Sequence, residues 1–326
     1  MGQVIVSGVK MTLPLEDVLR LIISNHKRTG NPVGIDMKRC VEWAENISMP
    51  RSGEKILYTS CMYQMAPYIK RLVEQLAKTE RHGLSGVALK LGGVLSRVID
   101  VTSIMGVSEN ERKRSSEILM NIVKILLRYD VNIAYLYEEE PYSGALLYEL
   151  GLEEYFIDHA KKVVEIFRKH GVKKIITIDP HTHHVLKDVY PKYVDNFDFE
   201  VTHYIEILSE RTDLLTEIRV SDEYVIHDPC LLARYLNIID QPRKVLEKIG
   251  IKIREPSRSR ERTRCCGGPI ESISPSLSGS MAKIRLEELS RYSRKILVMC
   301  PICFISLSRY ADEYNVEIKD LAELLR

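Results

Sequence analysis

The stretch "RKILVMCPICFISLSRYA" (residues 294–311) decides the fold. Its basic and apolar start is typical of a buried β-strand, and the Cys-Pro turn that follows leads into an apolar helix. The stretch "KKIITIDPHTHHVLKDVY" (residues 173–190) has the same order of strand, proline turn and helix. The likeness predicts that the chain carries one strand-turn-helix unit twice.

The repeat extends upstream of both stretches. "EPYSG" (140–144) stands where "TRCCG" (263–267) stands, and "ILYTSC" (56–61) matches "YVIHDPC" (224–230). In the first copy 35 residues lie between Ser143 and Asp179, and in the second 33 lie between the matching Cys266 and Cys300. Strands and helices alternating at this spacing predict an α/β fold of two pseudo-repeated, Rossmann-like domains with mainly parallel sheets.

Three segments follow from this repeat. Residues 1–54 are predicted to form an N-terminal helical arm, because Leu15, Val18, Leu19 and Ile22 have helical spacing and Gly30 suits a helix end. Residues 55–215 would form a degenerate copy of the unit, and residues 216–326 the copy that keeps its cysteines. A chain of 326 residues accommodates two domains of ~150 residues each.

The bulk composition is that of an ordinary soluble protein. The net charge of +2 gives no sign of a nucleic-acid partner. The N-terminus lacks the features of a signal peptide, and no apolar run is long enough to span a membrane. We therefore expect a cytoplasmic protein, which partners can hold at the inner face of the membrane.

Cysteine placement is the strongest chemical signal. Five of the seven cysteines fall in the last hundred residues. An odd number without a signal peptide argues against a disulfide framework and favours metal binding or redox chemistry. Cys40 lies outside the motifs and is predicted to be a buried free thiol.

The clustered cysteines should meet in space. Cys300 and Cys303 follow one predicted strand and Cys230 ends another, and the carboxyl ends of parallel strands share one edge of a sheet. With the adjacent Cys265 and Cys266, three chain segments would bring five sulfurs together. Zinc takes four ligands, and adjacent cysteine side chains diverge, so an iron–sulfur cluster is favoured over zinc. A thioredoxin-like pair and buried free thiols are the weaker alternatives.

The motifs "HDPCLLARY", "RCCGGPIES" and "ILVMCPICF" resemble the CCG cysteine-rich domain of the heterodisulfide reductase B/D family. The resemblance implies one non-cubane [4Fe-4S] cluster on Cys230, Cys265, Cys266, Cys300 and Cys303, with Cys265 and Cys266 nearest to the chemistry. It also implies a B-type oxidoreductase subunit that exchanges electrons with a disulfide, thiol or other sulfur substrate. The expected partners are a ferredoxin-like C-type subunit and a flavin-containing A-type subunit, so that FAD is bound only by a partner.

The chain departs from this family in its first copy. The cysteine pair is replaced by Tyr142-Ser143 and the C-P-x-C run by Asp179-Pro-His-Thr182, so no cluster is expected there. A second metal site on Cys61, Asp179, His181 and His183 is a weaker hypothesis. The ferredoxin run C-x2-C-x2-C-x3-C-P is absent from the sequence, so electrons must arrive from elsewhere.

Three neighbours of the cysteines are candidate supporting residues. His227 is predicted either to hydrogen-bond a cluster sulfur or to play a structural part, and Arg264 is expected close to the sulfurs. Gly267 opens a glycine run that is shorter than the family's usual one, and we expect the shortening to restrict access to the cluster. The remaining arginines of "REPSRSRERTR" (254–264) are predicted to be solvated. Two other functions stay open: an electron-relay subunit of a succinate, glycolate or lactate flavin dehydrogenase, and a zinc-bound scaffold.

Overall fold

The computed structural model describes residues 5–6, 9–10, 13–81, 106–130 and 132–326. Ten short strands lie in these ranges, and all but the first two belong to parallel sheets. They are β1 (Ile5–Val6), β2 (Val9–Lys10), β3 (Lys55–Tyr58), β4 (Ala134–Tyr135), β5 (Lys174–Thr177), β6 (Glu200–His203), β7 (Asp222–Ile226), β8 (Ile251–Arg254), β9 (Lys295–Val298) and β10 (Glu317–Asp320).

The two parallel sheets repeat the same topology. The first has the order β4-β3-β5-β6 and the second β8-β7-β9-β10. In register, Leu57 of β3 pairs with Ile176 of β5, and Ile226 of β7 pairs with Leu297 of β9. The central strands are buried apolar runs, as expected where helices cover both faces of a sheet. This arrangement confirms the predicted α/β fold of two repeated units.

Helices connect the strands and cover the sheets. The α-helices of the described chain are Leu15–Thr29, Met37–Val41, Met62–Arg81, Glu109–Tyr129, Ala145–Glu149, Glu153–Lys169, Pro180–His184, Tyr190–Tyr193, Tyr204–Glu210, Asp240–Lys248, Pro275–Leu289 and Pro301–Ser308. Wider helical turns follow at Val185–Val189 and Leu231–Tyr235. None of the helices in the described ranges is long and apolar enough to cross a membrane.

Local sequence explains the helix ends that position the site. Asp179 accepts hydrogen bonds from the backbone N–H groups of His181 and Thr182, and Pro180 occupies the first helical position. Cys300 takes the same place before Pro301. Both helices therefore start at the carboxyl end of a central strand, and their N-termini point to the same edge of their sheets.

The hydrophobic core is shared by both halves of the chain. One cluster of buried side chains contains Ile56 from β3 and Val225 from β7. The other contains Leu57 from β3 and Leu297 from β9. Buried polar contacts also cross between the halves, since the Tyr63 hydroxyl donates to Asp320 Oδ2 at 2.9 Å. The boundary predicted at residue 215 thus falls between two sheets whose cores are continuous.

The predicted free thiol at Cys40 is wrong, because Cys40 forms a disulfide with Cys61. Cys40 is buried in the helix Met37–Val41, and its backbone carbonyl accepts a hydrogen bond from Gln64 Nε2 at 2.7 Å. This contact holds the arm against the turn after β3, where Cys61 lies. Sequence spacing gave no sign of the pairing, because the two cysteines belong to different elements.

Candidate metal centre

Five free cysteines meet at the carboxyl edge of the second sheet. Cys230 follows β7 and begins the helical turn Leu231–Tyr235, while Cys300 directly precedes the helix that carries Cys303. Cys265 and Cys266 lie on the loop before the helix Pro275–Leu289. Cys266, Cys300 and Cys303 are buried, and the other two are partly exposed. The structure thus brings together the five cysteines that the sequence predicted.

The sulfurs form one continuous set of contacts. The Cys265 thiol contacts both Cys230 and Cys266, Cys266 contacts Cys303, and Cys303 contacts Cys300 through side-chain hydrogen bonds. Backbone groups add to them, because Gly267 N–H donates to Cys265 Sγ at 3.3 Å and Cys303 N–H to Cys300 Sγ at 3.5 Å. Every one of the five sulfurs therefore contacts at least one other sulfur of the set.

Charge is distributed unevenly over the set. Burial raises the pKa of Cys300, but hydrogen bonds from Cys303 and His181 outweigh it and lower that pKa to about 5. Hydrogen bonds from Cys230 and Cys266 likewise lower the pKa of Cys265. The same contacts raise the pKa of the Cys230 and Cys266 thiols. A cationic centre would displace the remaining protons, so this donor set fits a metal cluster bound by thiolates.

Two glycines shape the turn after the cysteine pair. Gly267 has a φ of +85°, and a Cβ there would approach the Ser278 carbonyl oxygen to 2.7 Å. A Cβ at Gly268 would collide with Ile302 and approach Cys266 Sγ to 3.4 Å. The turn can therefore pack closely around the sulfurs only because both positions lack side chains.

His227 lies against the cysteines, as the sequence suggested. One of its ring nitrogens and the sulfurs of Cys266 and Cys303 lie within 4.8 Å of one another. Burial, and next the charge of Arg285, lower the pKa of His227 well below its usual value. Arg285 Nε donates to His227 Nδ1 at 3.0 Å, which leaves Nε2 buried without a partner among the described residues.

Sequence reasoning missed Arg285, which is fully buried. Helical spacing could have indicated its burial. On the helix Pro275–Leu289, Arg285 shares a face with Ala282, three residues before it, and Leu289, four residues after it, and both are buried. Arg264 was the arginine expected near the sulfurs. Its side chain is partly exposed and pairs with Glu288 at 3.3 Å.

The N-terminal half also reaches the cysteines. His181 forms a side-chain hydrogen bond with Cys300, and its Nδ1 lies 2.5 Å from Glu149 Oε1. Although burial lowers it, these two acidic partners raise the pKa of His181 well above its usual value. A buried histidine of the degenerate copy therefore supports a cysteine of the other copy.

The four residues of the second hypothetical metal site are not brought together by the structure. Cys61 is in the disulfide, Asp179 caps a helix, and His181 faces Cys300. His183 Nδ1 lies 2.7 Å from Thr177 Oγ1. Among the described residues, these four do not form a group whose ligand atoms lie close enough together to share a metal ion.

The degenerate copy keeps the geometry of the lost cysteines. Ser143 Oγ lies 3.4 Å from Thr182 Oγ1, and the two residues stand where Cys266 and Cys303 contact each other in the second copy. Ser143 also contacts the turn after β3, through Ser60 Oγ at 2.9 Å. Hydroxyl groups have replaced thiols without changing which segments meet.

An apolar pocket of about 110 Å³ opens beside the cysteines. Its walls come from the helices Leu15–Thr29, Met62–Arg81 and Ala145–Glu149, and its floor includes Gly268 and Ile302. Among the described residues, Tyr142, Glu149, His181 and Glu271 are the ionisable groups of its lining, and no lysine or arginine of these ranges lines it. Burial raises the pKa of Glu271 to about 8. The pocket therefore suits an apolar molecule with an uncharged polar group.

The fold and the five-cysteine set define a class of cysteine-rich α/β protein, and comparison with known proteins agrees. Residues 224–308 match the family described as "CCG: Cysteine-rich domain". Over these residues the chain matches the CCG cysteine-rich domain, and a longer part of it is similar to D-type subunits of heterodisulfide reductases.

Three relatives illustrate the family. A probable iron-sulfur-binding oxidoreductase, FadF, of Bacillus subtilis is 33% identical over 65% of this chain and 31% of its own length. An EtfAB:quinone oxidoreductase of Syntrophomonas wolfei is 31% identical over 67% of this chain and 32% of its own. The D-type subunit of the dihydromethanophenazine:CoB–CoM heterodisulfide reductase of Methanosarcina barkeri is 29% identical over 62% and 53%. The chain thus spans between about a third and about half of the length of these relatives.

Proposed function

We propose that this protein is an iron–sulfur subunit of a heterodisulfide reductase-like oxidoreductase, with one non-cubane [4Fe-4S] cluster. The observation that carries the proposal is the contact set of five free cysteines from three segments. Its support in the comparisons is the match over residues 224–308 and the relatives named as iron-sulfur or heterodisulfide reductase proteins.

The cluster supplies one-electron chemistry at a sulfur substrate when it is bound. The protein's own residues hold and shield it. Cys230, Cys265, Cys266, Cys300 and Cys303 provide the thiolates, and the burial of three of them excludes water. Gly267 and Gly268 allow the loop to close around the sulfurs. His181 contacts Cys300, and His227 lies beside Cys266 and Cys303.

The apolar pocket is the proposed path for the substrate. Its floor residue Gly268 lies next to Cys266, so a molecule in the pocket would lie beside the cysteines. Because no lysine or arginine of the described part of the chain lines the pocket, it favours a disulfide or thiol with apolar substituents over one that carries several anionic groups.

Electrons would be exchanged with partner subunits. The sequence holds no ferredoxin-type cysteine run, and its five free cysteines all belong to one set. We therefore propose a ferredoxin-like C-type partner and a flavin-containing A-type partner, with the complex in the cytoplasm.

Metal analysis of anaerobically purified protein tests the proposal. We expect about four irons and about four acid-labile sulfides per chain. Cys265→Ser should lose them, while Cys40→Ser, which removes a disulfide-bonded sulfur outside the set, should keep them. Zinc in place of iron, or iron that survives Cys265→Ser unchanged, would contradict it.

A further inference from the structure

All three nitrogens of the Arg285 guanidinium have hydrogen-bond acceptors nearby. Its Nη1 donates to the Arg258 carbonyl oxygen at 2.9 Å and to Glu288 Oε2 at 3.0 Å. Its Nη2 lies 3.5 Å from Thr263 Oγ1, and its Nε donates to His227 Nδ1 at 3.0 Å. The guanidinium is fully buried, so these contacts fix its orientation. A guanidinium has donors only and stays protonated in proteins.

This contact determines the tautomer of His227. An arginine Nε–H cannot accept a hydrogen bond, so His227 Nδ1 must present its lone pair. A ring with a lone pair on Nδ1 is neutral and carries its proton on Nε2. The main chain at this position is anchored as well, because the backbone N–H of His227 donates to the Leu297 carbonyl oxygen at 2.8 Å.

The Nε2–H group is the part of the ring that remains for the cysteines. It is buried and has no partner within the described ranges. A His227 nitrogen lies within 4.8 Å of the sulfurs of Cys266 and Cys303, and Nδ1 is already occupied by Arg285. A protonated nitrogen cannot bind a metal, although it can donate a hydrogen bond to sulfur.

We propose that Arg285 fixes His227 as a hydrogen-bond donor to a sulfur of the metal centre, so that His227 tunes the centre and is not one of its ligands. The inference rests on the proposed iron–sulfur function. Hydrogen bonds to the sulfurs of a cluster stabilise its reduced, more negative state and raise its reduction potential. His227 is therefore a positioning and tuning residue, and Arg285 acts through it.

Substitutions at His227 test the donor role. His227→Leu removes the N–H group, and His227→Gln places an amide N–H near the position of Nε2. We expect both variants to keep the iron content of the natural protein. The midpoint potential of His227→Leu should be lower, and that of His227→Gln should lie closer to the natural value. His183→Leu, which removes a buried imidazole from the half without the cysteine set, should leave the potential unchanged.

Substitutions at Arg285 test whether this residue orients the imidazole ring of His227. Arg285→Lys keeps a donor for Nδ1, and Arg285→Met removes it. We expect Arg285→Met to lower the potential more than Arg285→Lys does. These variants also give a test if His227→Leu does not fold.

Pulsed EPR of protein labelled with ¹⁵N-histidine distinguishes a donor from a ligand. A hydrogen-bonded nitrogen should give only a weak coupling to the reduced centre, and this coupling should disappear in His227→Leu. A strong coupling typical of a directly bound nitrogen would overturn the proposal, as would an unchanged midpoint potential in His227→Leu at full iron content. Absence of iron from the natural protein would instead refute the proposed function.

Discussion

Cys61 is joined to Cys40 in a disulfide, at the position where Cys230 stands in the second half of the chain. The one cysteine that the first copy retains from the repeated pattern is therefore not available to a metal. It ties the N-terminal arm to the first sheet instead, across a sequence separation of 21 residues.

Removing this cross-link should weaken the fold and spare the metal centre. A disulfide that closes a loop of this length contributes about 3 kcal/mol to the free energy of unfolding, mainly because the bond restricts the unfolded chain. We expect Cys40→Ala to lower the free energy of unfolding by about that amount in urea titrations, with unchanged iron content. Treatment of the natural protein with a thiol reductant should give the same shift. Loss of iron in Cys40→Ala would show that the arm contributes to the centre.

The degenerate copy should accept a second cluster when its ligands are restored. Ser143 and Thr182 already approach each other as Cys266 and Cys303 do. We expect the iron content to rise from about four to about eight per chain when five changes are combined: Cys40→Ala, Tyr142→Cys, Ser143→Cys, Asp179→Cys and Thr182→Cys.

The matched control keeps Cys40 and carries the other four changes, so that Cys61 stays in the disulfide. This control should remain near four irons per chain. If the variant with all five changes folds but binds no additional iron, the structural equivalence of the two copies is contradicted.

Filling the apolar pocket should block ligand binding. Leu146 is partly buried and lines the pocket, so a tryptophan there would occupy its volume. We expect Leu146→Trp to weaken the binding of a neutral apolar fluorophore by roughly tenfold, or about 1.4 kcal/mol. Ile284→Trp is the control, because Ile284 is exposed on a helix outside the pocket lining. Equal binding by both variants would show that the fluorophore binds elsewhere.

Asp320 should make stability depend on pH. Burial raises the pKa of this carboxyl group from its ordinary 3.8 to about 7. Between these values the unfolded chain is ionised at this position and the folded chain is not. The free energy of unfolding therefore falls as pH rises through this window, and the contribution is constant above about pH 7.

Asp320→Asn cannot ionise and should remove this dependence. Asparagine can still cap the turn Leu321–Leu324, where Asp320 accepts from Ala322 N–H at 2.9 Å. Relative to the natural protein, we expect the variant to gain stability as pH rises, by up to about 4 kcal/mol, since one pKa unit corresponds to about 1.4 kcal/mol. Denaturant titrations across the window measure this difference. Parallel stability curves for the two proteins would contradict the prediction.

The meeting of the five cysteines was predictable because it depends on topology. Cys230 and Cys300 each lie in the turn that follows a strand, and parallel strands end at one edge of their sheet. The edge strands β6 and β10 were not predicted from the sequence. They are four residues long and partly polar, "EVTH" and "EIKD", so they lack the continuous apolar run that marks a central strand.

Contacts between elements that are distant in the sequence were the other features that could not be predicted. The disulfide depends on how the arm packs, and the contact of His181 with Cys300 depends on how the two halves pack. Neither relationship has a local sequence pattern. His227 could be proposed from its place before the Asp-Pro-Cys turn, whereas the partner that orients it could not.

The shared hydrophobic core makes each half of the chain depend on the other. Because both clusters of buried side chains draw on both sheets, neither half can be removed without exposing apolar surface of the other. The first copy is therefore needed for the fold of the second, although it lacks four of the five clustered cysteines. One unit of the repeat thus serves as a structural partner of the unit that carries the cysteine set.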